Sequence, residues 1–362
     1  MNAVLTIATT RPRPVRRGGL VITAAAIFLA AAILASLAMG PVYIAPGNVV
    51  GTIMDALAGA RPSEPTAVRD AVVVLDIRLP RTVLAMLVGG GLAVAGAVLQ
   101  GIFRNPLADP GLVGVSPGAA LAAVLWIIFG SAVAGYLPGP LASLGLPLAA
   151  FLGGLVTIVL LYRIATRDGR TSVAMLLFAG IALGAMAAAG TGLAVFVASD
   201  QQLREFTFWT LGSLGGASWP KVAAAAPLIL VLVVGSHWLA RGLDALALGE
   251  AEAFHVGVNT ERLKRVAIVL VAAGVGASVA VSGVIGFVGL VVPHLLRLSA
   301  GPSHGRLLIG CALLGGGLLI ASDIVARTVV SPAELPLGVV TAILGTPYFL
   351  YLVQRNRAAL GG

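Results

Sequence analysis

Ten uninterrupted apolar runs, most of them close to the length of a bilayer-crossing helix, constrain this chain more than any other feature. They lie at about 20–40, 82–103, 112–130, 144–164, 173–198, 221–240, 265–282, 284–298, 307–328 and 335–354. An α-helix needs about 20 apolar residues to cross the hydrocarbon core of a bilayer. In lipid every backbone N–H and C=O must bond within the protein, which leaves helices or a closed barrel. Barrel strands alternate apolar and polar residues over about ten positions, and these runs do not alternate. Charge content agrees, with 10% of the residues Asp, Glu, Lys or Arg against about 25% in a soluble domain. The expected fold class is all-α integral membrane, with about ten transmembrane helices.

Arg11, Arg13, Arg16 and Arg17 precede the first run, as basic residues do in a signal peptide. Leu20 to Met39 is longer than the apolar part of such a peptide, about 7–15 residues, so it reads as a retained first helix. With the N-terminus in the cytoplasm and ten alternating spans, sixteen of the 23 Lys and Arg residues fall inside. The seven outside are Arg61, Arg69, Arg78, Arg81, Arg204, Lys221 and Arg327. That excess is the positive-inside pattern, and it places both termini in the cytoplasm. The expected organisation is a tail at 1–19, one packed transmembrane domain at 20–354 and a second tail at 355–362. The net charge of +9 belongs to this bias. Basic residues are not interleaved with aromatics, so nucleic acid is not an expected partner. Cys311 stands alone, which excludes an intrachain disulfide. Small residues four apart, such as Gly180 and Gly184, are expected to let helices approach closely. The strings at 93–96 (AVAG) and 280–283 (AVSG) hint at an internal repeat.

Nucleotide chemistry is missing from the chain. A phosphate-binding loop needs Gly-Lys-Ser/Thr, and the only lysines follow Pro220 and Leu263. Any ATP hydrolysis must come from another polypeptide. The most charge-dense cytoplasmic stretch runs from Leu248 to Arg265, with Glu250, Glu252 and Glu261 among Ala251, Ala253, Phe254 and Val256. Gly249 and Gly257 look like breaks at the ends of a short helix, and Asn259 or Thr260 like the cap of a second. Two short helices below a bundle would form a docking knob for a partner, where the plainer reading is a solvated loop. On the other face Arg78-Leu79-Pro80-Arg81 places two arginines around a stiffening proline, against the charge bias. A carboxylate-bearing partner would explain them, and an interfacial anchor is the plainer reading. Arg327 could join them or pair with Asp323 one turn earlier. Gly114-Val115-Ser116-Pro117-Gly118 matches the G-x-S-x-G of serine hydrolases, but that motif needs a strand–turn–helix elbow and a histidine base, and here it opens an apolar helix. His294 and His304 lie ten residues apart with no third ligand nearby. Asp323 is the one candidate for the buried acid of an ion-coupled transporter.

Several strings together resemble the permease family of ATP-binding-cassette importers for iron-siderophores, heme and cobalamin, the FecCD-like, type II importers. They are RLPR at 78–81, AVAGAVLQGIFRNPLADPGLVGVSPGAAL at 93–121, LALGE at 246–250, GVIGFVGLVVPHLLRL at 283–298, SDIVAR at 322–327 and ELPLGVVTAILGTPYFLYL at 334–352. The resemblance implies the type II permease fold, working as a homodimer in the bacterial inner membrane. Two ATPase subunits lie below, carrying ATP and Mg, and a periplasmic binding protein lies above; the permease itself is no enzyme and binds no cofactor or metal. It implies that Arg78, Arg81 and Arg327 are exposed and dock acidic residues of the binding protein. It places one cytoplasmic gate at Asn105 and Leu107 and another at Thr171 and Ser172. It assigns coupling to the ATPase to about 248–263, through Gly249, Glu250, Ala253, Phe254 and Gly257. The string from Asp200 to Leu214 resembles heme permeases most, with ferric siderophore and cobalamin as alternative cargoes. An ion-coupled secondary transporter is the competing class.

Overall fold

The structure, a computed structural model, describes residues 16–60, 64–134, 144–167 and 170–355. All ten apolar runs are helical there. They form α1 (Arg16–Ala38), α4 (Leu79–Ile102), α5 (Val115–Ala134), α6 (Gly145–Ala165), α7 (Val173–Val197), α9 (Trp219–Leu246), α11 (Thr260–Ser282), α12 (Val288–Ala300), α13 (His304–Thr328) and α14 (Leu337–Arg355). Seven helices among the described residues are long and apolar enough to cross a membrane, and Val115–Gly130, Val288–Ala300 and Leu337–Tyr351 are shorter apolar helices. Of the expected tails at 1–19 and 355–362, residues 1–15 and 356–362 lie outside the described residues, while 16–19 and Arg355 are helical, so the helices reach further than expected.

Helix α4 is the centre of the bundle. Of its apolar window 83% is buried inside the chain, against 28% for α7. Glycine makes this possible. A Cβ on Gly96 would stand 1.8 Å from the Gly289 carbonyl oxygen, and one on Gly89 2.3 Å from that of Gly315. The backbones of α12 and α13 therefore lie directly on α4, the close approach that small residues permit in lipid. The Gly184 position picked from sequence is looser, since a Cβ there would meet Pro117 at 3.6 Å. The two repeat-like strings occupy unlike settings: 93–96 lies within α4, whereas 280–283 ends α11.

Three further helices were not foreseen. Between α1 and α4 lie α2 (Pro46–Leu57) and α3 (Pro65–Ala71), the latter running through a π-helical turn at Val72–Arg78 into α4. Val49 of α2 packs with Leu37, Ala38, Ile44 and Val74. Helix α8 (Asp200–Thr210) opens with a reciprocal capping box between Ser199 and Gln202, which satisfies two otherwise orphaned donors. A two-residue hairpin, β1 (Thr166–Arg167) antiparallel to β2 (Arg170–Thr171), joins α6 to α7. The expected pair of short coupling helices is corrected to one. Helix α10 (Glu250–His255) is short, and Asn259 instead caps the long α11 by accepting from the Arg262 N–H at 2.9 Å.

Candidate functional site

At the outer end, the three arginines expected to be exposed are buried, and that expectation is corrected. Arg78 is 4% exposed. Its guanidinium donates to the carbonyls of Leu37 (2.7 Å), Ala38 (3.0 Å) and Val42. These are acceptors at and beyond the C-terminus of α1, where the last carbonyls have no partner in the helix and a cation is favoured. Arg81 is shared by two acids. Its Nε and Nη2 donate to Asp323 at 2.9–3.1 Å, and Nη1 and Nη2 donate to Glu334 at 2.8 and 3.0 Å. Arg327 donates through Nη2 to the Ser36 carbonyl at 2.7 Å and hydroxyl at 2.9 Å, and its Nε lies 3.6 Å from Asp323. One buried carboxylate thus holds two guanidiniums, and the cluster ties α1, α4, α13 and the loop before α14 together. Glu334 is its half-exposed member. Hydrogen bonds from Arg81 are the largest influence on that carboxyl and hold it below the usual carboxylate range, against a smaller opposing effect of burial.

At the inner end, Asn105 and Leu107 belong to a tight turn, the Asn105 side chain accepting from the Leu107 N–H at 2.9 Å. The other gate candidates sit on the hairpin side. Ser172 caps α7 by accepting from the Met175 N–H at 3.3 Å, and Thr171 is buried. Helix α10 is bracketed by Gly249 (φ 139°) and Gly257 (φ 84°). These left-handed values favour glycine. Ala253 faces inward with no exposure, while Phe254 is 72% exposed. Leu248 and Val256 are exposed beside it, so an apolar patch lies open at this end of the bundle.

Lys264 joins these parts, and sequence reading assigned it nothing. Its ammonium donates to Glu250 of α10 at 2.9 Å, to Glu261 of α11 at 3.2 Å and to the Thr171 carbonyl at 3.3 Å. Glu261 in turn accepts from the Thr171 N–H at 2.7 Å. The hairpin and the short helix, expected to act separately, thereby share one ion-paired hub. The signal available in sequence was scarcity, since only two lysines exist.

The remaining motifs disperse. Gly114 is left-handed and Ser116 lies in the first turn of α5. His294 meets Tyr348 edge to face, whereas His304 bonds Asp244 at 2.7 Å, so the two histidines do not converge. Among the described residues no group of three or more His, Cys, Asp or Glu is placed to hold a metal.

A many-helix membrane bundle with no nucleotide loop and an exposed apolar knob between two of its long helices has the build of a transport subunit. The chain belongs to the FecCD transport family, whose model matches residues 28–355. It is 47% identical over 288 residues to the hemin transport system permease protein of Yersinia pestis, covering 80% of this chain and 85% of that one. It is 44% identical to the cobalamin import system permease protein of Halobacterium salinarum, over 78% of this chain and 73% of the other. It is also 44% identical to the vitamin B12 import system permease protein of Serratia proteamaculans, over 79% and 82%. A solved structure described as an inward-facing conformation of a metal-chelate type ABC transporter superposes with a TM-score of 0.79 at 30% identity, covering 93% of this chain and 99% of that one. The chain is an ABC-importer permease with an all-α membrane fold.

Proposed function

We propose that this permease carries heme from a periplasmic binding protein into the bacterial cytoplasm. It works as a homodimer in the inner membrane, with both termini cytoplasmic and two separate ATPase subunits supplying ATP hydrolysis. The 47% identity to a hemin permease carries the cargo assignment. The 44% identity to cobalamin permeases keeps cobalamin as the second reading, and a ferric siderophore is the third. Helix α10 seats the ATPase through Phe254 and its apolar neighbours, and Asn105, Leu107, Thr171 and Ser172 close the inner end of the path. On the outer face, the binding protein docks on the surface that Arg78, Arg81 and Arg327 hold in shape. There an arriving acid competes with Glu334 for Arg81.

The test is uptake into proteoliposomes holding the permease, its ATPase and its binding protein. ATP-dependent hemin accumulation, with cobalamin and a ferric siderophore excluded, is the expected result. Uptake of either of those without hemin overturns the cargo, and uptake by the permease alone without nucleotide overturns the importer mechanism.

A further inference from the structure

We propose that Lys264 is a positioning residue that transmits movement of α10 to the gate hairpin at Thr171. The proposal rests on the reading that α10 seats the ATPase and that Thr171 and Ser172 belong to the gate. A lysine at the cytoplasmic end of a span ordinarily extends its charge into water. Lys264 does the reverse and is 2% exposed. Its three bonds reach three different elements, α10 through Glu250, α11 through Glu261 and β2 through Thr171. An ammonium has three protons to donate, so none is left over.

Both backbone polar groups of Thr171 are held. Its N–H goes to Glu261 and its carbonyl to Lys264, and the residue is 4% exposed. The hairpin therefore takes its position from the ion pair. A second tie fixes the other side of the junction, where Arg265 donates to the Tyr162 hydroxyl of α6 at 2.8 Å. Glu250 supplies the side-chain link from this hub to α10, and it lies between the two left-handed glycines that bracket the helix. A six-residue helix between such breaks moves as a short rigid lever. A buried charge stripped of a partner is strongly unfavourable. When α10 shifts, Lys264 follows Glu250, and the Thr171 carbonyl follows Lys264. This is a physical link between two elements rather than mere proximity.

The test uses the complete permease–ATPase complex with its binding protein in proteoliposomes, and Ser172→Cys as a reporter for maleimide labelling. Ser172 is exposed, and the natural Cys311 is fully buried, so the background thiol is silent. In the Ser172→Cys parent, trapping the ATPase with nucleotide should change the labelling rate by about fivefold or more, the usual range of allosteric coupling. Lys264→Met and, separately, the half-exposed Glu250→Gln should reduce that response to less than about twofold. The Lys264→Met complex should stay assembled and continue to hydrolyse ATP, with less cargo moved per ATP. Lys264→Arg, which keeps the charge, should restore a measurable part of the response. A parent response that survives unchanged in both variants overturns this proposal while leaving the gate and coupling assignments standing. A parent that does not respond to nucleotide overturns the gate assignment and this proposal with it.

Discussion

Asp323→Asn should be among the most damaging single-atom-scale changes in the chain. The carboxylate is 1% exposed and accepts three contacts from Arg81 while lying 3.6 Å from Arg327. Removing its charge leaves Arg81 with Glu334 and takes from buried Arg327 the carboxylate it pairs with. Breaking a buried ion pair by neutralising one partner costs about 3–5 kcal/mol. Each kcal/mol moves the midpoint of a large domain by about 2 °C, so the expected fall is about 6–10 °C. Glu334→Gln is the control. That side chain is 41% exposed, and solvent screening limits an exposed pair to about 1 kcal/mol or less, or about 2 °C. The natural thiol provides the assay, because Cys311 is fully buried and reacts with a thiol dye only when the bundle opens. A fall below about 2 °C for Asp323→Asn, or equal falls for the two variants, would refute the assignment of Asp323 as the cluster's indispensable charge.

Acidification should act through Glu334. Arg81 depresses its pKa, so the stability it contributes is complete above the unfolded value of about 4.3 and is lost as pH falls through the lower folded value; subtracting thermal profiles of Glu334→Gln from those of the parent shows this, and equal pH dependence argues against it. Gly96→Ala would force a methyl onto the Gly289 carbonyl, at 1.8 Å, and should destabilise by about 3 kcal/mol or more, whereas Gly184→Ala should be silent. Membrane yield and thermal midpoint distinguish the two, and a well-tolerated Gly96→Ala would mean the helix seam is slack. Phe254→Asp, on an exposed side chain, should shift the midpoint by no more than about 1 °C but strip the ATPase from the permease during co-purification; an intact complex would remove Phe254 from the interface.

Local pattern and long-range pairing were unequally legible. The ten apolar helices could be read because length and apolarity are local properties, and helix placement follows them. The breaks at Gly249 and Gly257 and a cap at Asn259 or Thr260 were visible for the same reason. Burial of the arginines was not visible. The acids that bind Arg81 lie 242 and 253 residues away, so the positive-inside bias could mark these arginines as unusual without saying what satisfied them. Pairing of Arg327 with Asp323 was readable because it spans one helical turn. Likewise Lys264 and Glu261 are three apart, but the Thr171 carbonyl that gives them a role lies 93 residues away. Of 47 glycines, nothing local marks Gly96 and Gly289, or Gly89 and Gly315, as pairs whose backbones meet.

The placement of charge separates two mechanical regimes in one bundle. At the outer face the central acid, Asp323, is 1% exposed and its cations are buried with it. Such a group has no water to exchange for a lost partner, so α1, α4 and α13 are pinned together there. Below this cluster the seam of α4 with α12 and α13 is backbone against backbone at Gly96–Gly289 and Gly89–Gly315, which leaves no room for sliding. These helices form one body. The inner hub is built the other way round, with a buried cation, Lys264, between acids that are 28% and 50% exposed. Those carboxylates keep one side in water while the buried ammonium holds them, so the hub can shift as a unit without stranding a charge. On the proposed reading, in which separate ATPase subunits supply the hydrolysis, the permease must convert a partner's movement into its own. The place to receive that movement is the end where the ion pairs are open to solvent, and the place to resist it is the end where they are not.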